Sequence, residues 1–347
     1  MNCGPPHRAA PTASRKITKS KPNEVDSIWR GRKREQSVVF ADSGNGAPWA
    51  FSDDVGAALR GRPRTRSFSF KIKTERGIFP LKQRVISGIV LLAITFTCIA
   101  VSEVTRVLFF AAAGILCAYE LSRNLEKLEV YCCAWVMYVY IAIQAVLALL
   151  HAGPTAYIAA MSGAIYLALF SGILHRKVSG NGAMYTLAGV CYPCFLFALL
   201  MVISVSEVWL ETLVLAASAT WICDSFALFG GMLFGKHKVA PHVSPNKTIE
   251  GCLCGALSSI LTGVAMYYIF RGISGIPFWV CVITCFVSST LGQLGDLAES
   301  LVKRMIGVKD FSKLIPGHGG MFDRADSLLF SIPTAYLCLY VARAVLA

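Results

Sequence analysis

From residue 85 onward the chain is a succession of apolar runs, each about 20 residues long and parted by short polar stretches. They cover residues 85–102, 104–121, 130–150, 154–174, 183–204, 208–234, 250–270, 276–295 and 327–346. A helix of that length crosses a hydrocarbon layer of about 30 Å. Backbone in lipid must satisfy its own hydrogen bonds, which leaves only helices and closed barrels. Barrel strands alternate over about 10 residues, and these runs do not. The expected fold is therefore all-α, a polytopic transmembrane protein of about nine spans. The long sixth run, "VWLETLVLAASATWICDSFALFGGMLFG", has room to tilt or to break at Gly230 and Gly231.

Charge divides the chain in two. Residues 1–84 hold 18 Lys and Arg against 7 Asp and Glu, whereas residues 85–347 hold 15 against 13. Residues 1–80 have no sustained apolar period and are rich in Arg, Lys, Ser, Pro and Gly, so they read as a disordered basic cytoplasmic tail. Residues 81–347 form the membrane domain. With the N-terminus inside, the inner loops carry Arg123, Lys127, Arg176, Lys177, Lys236, Lys238, Lys247, Lys303, Arg304, Lys309, Lys313 and Arg324. The outer loops are short and carry only Arg271. That asymmetry fixes the orientation. Localisation reads as a bacterial-type inner membrane, crossed several times, with composition leaving an endomembrane open. The cysteines lie mostly inside apolar runs, and they read as small apolar fillers rather than as zinc ligands.

Two polar segments then fall on the cytoplasmic face: "GKHKVAPHVSPNKTIEG" (235–251) and "GDLAESLVKRMIGVKDFSKLIPGHGGMFDRADS" (295–327). Asp296 ends the eighth run; Asp323 and Asp326 open the ninth, on one face if that stretch is helical. Asp224 lies within the sixth. Carboxylates at membrane depth are disfavoured by about 3 kcal/mol and tend to line functional cavities. Oxygen ligands of this kind suit Mg²⁺, which binds one or two carboxylates together with substrate phosphates. Lys303, Arg304, Lys309, His318, Arg324 and Lys247 surround the same place. Acids to hold a metal and bases to hold phosphates are what a nucleoside triphosphate requires. Gly319 and Gly320 let backbone N–H groups approach phosphate oxygens. "SPNKT" reads as a helix start, with Ser244 as N-cap and Pro245 in the first turn, and such a start also binds anions.

The run Ser300–Asp326 resembles the signature of the phosphatidate cytidylyltransferase (CDP-diacylglycerol synthase) family. It has Ser300, then Lys303-Arg304, then Lys309-Asp310, Pro316-x-His318-Gly319-Gly320, and Asp323-Arg324-x-Asp326. Ala325 is smaller than the apolar residue the pattern would carry. Trp221–Gly251 is similar to the family's second block, and the likeness covers residues 80–347. The resemblance implies transfer of a cytidylyl group from CTP to phosphatidate, giving CDP-diacylglycerol and pyrophosphate. It implies Mg²⁺ held by Asp296 and Asp323, with room for a monovalent cation. Lys303 and Arg304 join the two acids as catalytic groups. Lys247, Ser244, Lys309, His318, Gly319, Gly320, Arg324, Asp224 and Asp326 then line the substrates.

The partners expected are CTP, phosphatidate and the bilayer. No nucleic acid is expected, and a homodimer is compatible with the sequence. Other enzymes of the same kind would activate a different lipid phosphate with CTP, or phosphorylate a lipid. A transporter using Asp224 and Asp296 as a relay would instead need acids in mid-span and broken helices in both halves.

Overall fold

The computed structural model describes residues 81–271, 275–315 and 319–346. The tail at 1–80 and His318 lie outside the described residues. The helices are α1 (Leu81–Val101), α2 (Glu103–Glu126), α3 (Ala134–Leu149), α4 (Pro154–Leu174), α5 (Gly180–Gly189), α6 (Phe195–Ser204) and α7 (Trp209–Phe234). A two-stranded hairpin follows, β1 (Lys238–Ala240) and β2 (Ser244–Thr248), then α8 (Ile249–Phe270) and α9 (Phe278–Ile306). A short α10 (Phe322–Ala325) leads into α11 (Leu328–Leu346). Among the described residues seven helical stretches are long and apolar enough to cross a membrane. Two more, Ile86–Val101 and Ala134–Leu149, are apolar but shorter. The chain is a multi-pass helical membrane protein, and its helices fall within about five residues of the nine expected runs except at the end of α9, which continues to Ile306 where the eighth run was expected to stop at 295.

Local chemistry explains the boundaries. Ser102 alone joins α1 to α2, and it caps α2 reciprocally with Thr105, at 3.2 and 3.1 Å. Pro154 starts α4 at the position where a missing N–H does no harm. Pro193 interrupts the fifth span, where residues 190–194 widen into a π turn and Tyr192 leaves helical geometry. α9 ends on Gly307, whose φ of 77° suits glycine, with Val308 N–H returning to the Lys303 carbonyl at 2.9 Å.

"SPNKT" is not a helix start. Ser244–Thr248 is the strand β2, paired antiparallel with β1, and the N-cap of α8 is Thr248, whose hydroxyl accepts from Gly251 N–H at 3.2 Å. Pro245 has no N–H to give a ladder, and a two-stranded edge tolerates that. All the described cysteines are free thiols, as the filler reading expects. In the α2–α3 loop, burial pushes the Cys132 thiol up to about 11, so it stays protonated and inert near neutral pH.

α7 and α8 pack most intimately, because small residues let their backbones meet. A Cβ on Gly255 would stand 2.7 Å from the Cys223 carbonyl oxygen and 3.0 Å from Gln293 Nε2. Gly255→Val should therefore prise α7 from α8 and lower Tm by about 5 °C. Leu257→Val, on the exposed side of α8, should leave Tm in place. Thermal unfolding of the two variants in detergent checks the difference.

Candidate active site

α9 presents Gln293, Asp296, Glu299, Ser300 and Lys303 at steps of three and four residues, on one face near its C-terminal end. From the hairpin, Lys247 forms a close ion pair with Asp296 and lies 3.5 Å from the Gln293 carbonyl. Ser300 Oγ stands 3.5 Å from the other Asp296 oxygen. Glu299 is fully buried, and its Oε1 atom has no hydrogen-bond partner. Lys303 Nζ is 2.5 Å from Glu299 Oε2 as an ion pair. Asp326, between α10 and α11, completes a group in which Asp296, Glu299 and Asp326 each place one oxygen within 4.8 Å of the others.

Lys303 also reaches Asp323, at 3.0 Å. The second Asp323 oxygen accepts from Phe311 N–H at 3.0 Å and from Gly320 N–H at 2.8 Å. Asp323 thus closes the loop between α9 and α10. Below the loop lies an aromatic stack: Phe311 on Phe322 at 4.6 Å, Tyr192 on Phe322 at 5.4 Å, and Tyr192 on Phe330 at 5.8 Å. The break at Pro193 carries Tyr192 into that stack.

Four carboxylates (Asp296, Glu299, Asp323 and Asp326) meet two ion-paired ammonium groups, Lys247 and Lys303. The surplus is negative, and like charges held out of water repel strongly. An oxygen-rich set that includes the unpartnered, buried Glu299 Oε1 fits a hard divalent cation such as Mg²⁺. The sequence reading placed Asp296 and Asp323 together on that metal. Geometry brings Asp296 into the three-acid group and leaves Asp323 outside it, turned toward Lys303 and two backbone amides.

The remaining residues divide. Arg304 donates from Nε to the Val243 carbonyl at 3.1 Å and from Nη1 to the Val308 carbonyl at 3.2 Å, so it ties the hairpin turn to the end of α9. Lys309 and Arg324 are exposed and form no ion pair among the described residues. Asp224 lies within electrostatic reach of Asp296 and Lys247 without touching either. Ser244 is half-buried in β2. Gly319 adopts a φ of 87°, and the Gly320 N–H points inward to Asp323 rather than outward to a phosphate.

Two acids escaped the sequence reading. Glu299 sits three residues after Asp296, and treating 296–303 as helix would have found it. Glu120, near the end of α2, is 3% exposed. It accepts from Ser312 Oγ at 2.6 Å and from the N–H groups of Met321 and Phe322, both at 3.0 Å. The rule that flags an acid inside an apolar run was applied to Asp224 and would have flagged Glu120 as well.

Known proteins resemble part of this chain. The pattern of the cytidylyltransferase family matches residues 82–342. A phosphatidate cytidylyltransferase of Staphylococcus haemolyticus is 39% identical over 130 residues, 38% of this chain and 49% of that protein. One from Staphylococcus saprophyticus is 42% identical over a stretch of the same extent, 38% of this chain and 49% of its own. The chain thus spans about half the length of these two relatives. One from Staphylococcus aureus is 33% identical over 193 residues, 54% of this chain and 73% of that protein. With the family pattern running from α1 to α11 and enclosing every residue of the acid–lysine cluster, the chain belongs to the cytidylyltransferase family.

Proposed function

We propose that this protein transfers the cytidylyl group of CTP to phosphatidate, forming CDP-diacylglycerol and pyrophosphate. The observation that carries the reading is the surplus of buried carboxylate around Lys303 at one end of a membrane bundle. It matches a polyanionic substrate that arrives with a cation. The relatives named for this reaction support it. The basic loops support a site facing the cytoplasm and the inner leaflet.

In the reaction a phosphate oxygen of the lipid attacks the α-phosphorus of CTP. A new P–O–P linkage forms, and the bond from that phosphorus to the bridging oxygen of the β-phosphate breaks. Pyrophosphate leaves with the electron pair. The lipid phosphate is already an anion, so no enzyme nucleophile is required. The obstacle is repulsion and alignment. Asp296, Glu299 and Asp326 would hold Mg²⁺. When bound, that ion neutralises the triphosphate and the departing pyrophosphate. Lys303, fixed between Glu299 and Asp323, offers a pre-aimed ammonium to a phosphate. Lys247 brings a second from the hairpin, and exposed Lys309 and Arg324 extend the positive rim. Asp224 helps orient Lys247.

Purified protein in detergent should release pyrophosphate and form a CDP-lipid only when CTP, phosphatidate and Mg²⁺ are all present. Release with other lipid phosphates but not with phosphatidate would move the reading to a different lipid acceptor. Folded protein inactive on every lipid phosphate would remove it.

A further inference from the structure

The described N–H groups at the close of the α9–α10 loop already have partners. Gly320 N–H serves Asp323, while Met321 and Phe322 N–H both serve Glu120, which lies about 200 residues away in sequence. Glu120 also takes the hydroxyl of Ser312 from the opposite limb of the loop. One turn further along α2, Asn124 is 1% exposed and donates to the Phe311 carbonyl at 2.7 Å. Lys127 holds the Asn124 side-chain oxygen at 2.8 Å. A single face of α2 therefore grips both limbs of the loop.

Glu120 has no cation in contact among the described residues; uncharged donors alone satisfy it. A buried carboxylate is retained only where its hydrogen bonds are good. Its neighbour is shaped for it. A Cβ on Gly320 would lie 2.6 Å from one Glu120 oxygen and 2.7 Å from the other. Gly320 is small so that the carboxylate can enter.

We infer that Glu120 is the positioning residue of this site: it sets the loop so that Asp323 holds Lys303 at the acid group. The chain of contacts is explicit. Glu120 fixes the amides of Met321 and Phe322; the next residue is Asp323; Asp323 bonds Lys303; Lys303 stands against Glu299. Glu120 touches none of the acids and acts through the loop.

This inference rests on the proposed reaction for one of its two tests, and the other is independent of it. Hydrogen exchange reads the loop directly. In Glu120→Gln, amides at 320–323 should exchange at least about tenfold faster, as a lost charged acceptor allows. The α7–α8 segments should be unchanged. Equal loop exchange in wild type and variant would overturn the inference whatever the chemistry proves to be. The second test is coupling in CDP-lipid formation. Glu120→Gln alone should lower kcat about tenfold or more, yet add less than about twofold in an Asp323→Asn background, because both act through one Lys303. Independent, multiplicative losses would overturn it, since a residue that merely supports the fold gives that result. Wild-type inactivity would count against the proposed function and leave the exchange result standing.

Discussion

Asp296→Asn should lower CDP-diacylglycerol formation by about 100- to 1,000-fold while leaving the bundle folded. Asn keeps the shape of Asp296 and loses one formal charge. Lys247 then loses its ion-pair partner, and the three-acid group loses the member closest to the hairpin. The side chain is only partly buried, so thermal unfolding should shift little. Initial rates under saturating CTP and Mg²⁺, measured beside Tm, check both halves. Near-wild-type turnover would remove Asp296 from the site. A large drop in Tm would make it structural instead.

Lys303→Met has the larger structural effect. Lys303 is the cation in contact with Glu299, which is fully buried, and with Asp323, whose side chain is 3% exposed. Methionine fills much the same space without the charge, so two carboxylates are left uncompensated. Breaking a buried pair in this way is destabilising by about 3–5 kcal/mol. Tm should fall by about 10 °C, and activity should vanish. The double variant Glu299→Gln with Lys303→Met removes a negative charge together with the positive one and should regain part of the lost Tm. Unfolding curves of the wild type, both single variants and the double variant give the coupling. If Lys303→Met unfolds as the wild type does, the ammonium is not the counter-ion of these acids.

Much of this was legible in the sequence, for identifiable reasons. Spans are written in runs too long to mean anything else, and the helices follow them, except that α9 runs on past residue 295 to Ile306. Asp296, Lys303 and Asp326 could be named because acids and bases stand out against hydrocarbon. Other features depend on three-dimensional context. Ser244 and Pro245 have the composition of a helix start, yet a nearby strand partner and the better-placed cap at Thr248 decide otherwise. Asp323 and Asp326 are three residues apart, but the chain turns between α10 and α11. One acid therefore faces the loop amides and the other faces Asp296. Glu120 is separated from its partners by nearly 200 residues, and spacing along a chain carries no trace of such a contact.

The ring stack beneath the loop has a consequence for cooperativity. Loops ordinarily open at lower free energy than the helices they join. Here Phe311 and Phe322, from the two limbs of the loop, lie face to face, and Tyr192 from the interrupted fifth span clasps Phe322 and Phe330. Opening the loop means withdrawing these rings from the shared apolar interior. The limbs carrying Phe311 and Phe322 are therefore tied to the bundle, and opening them costs more free energy than opening a loop without buried rings.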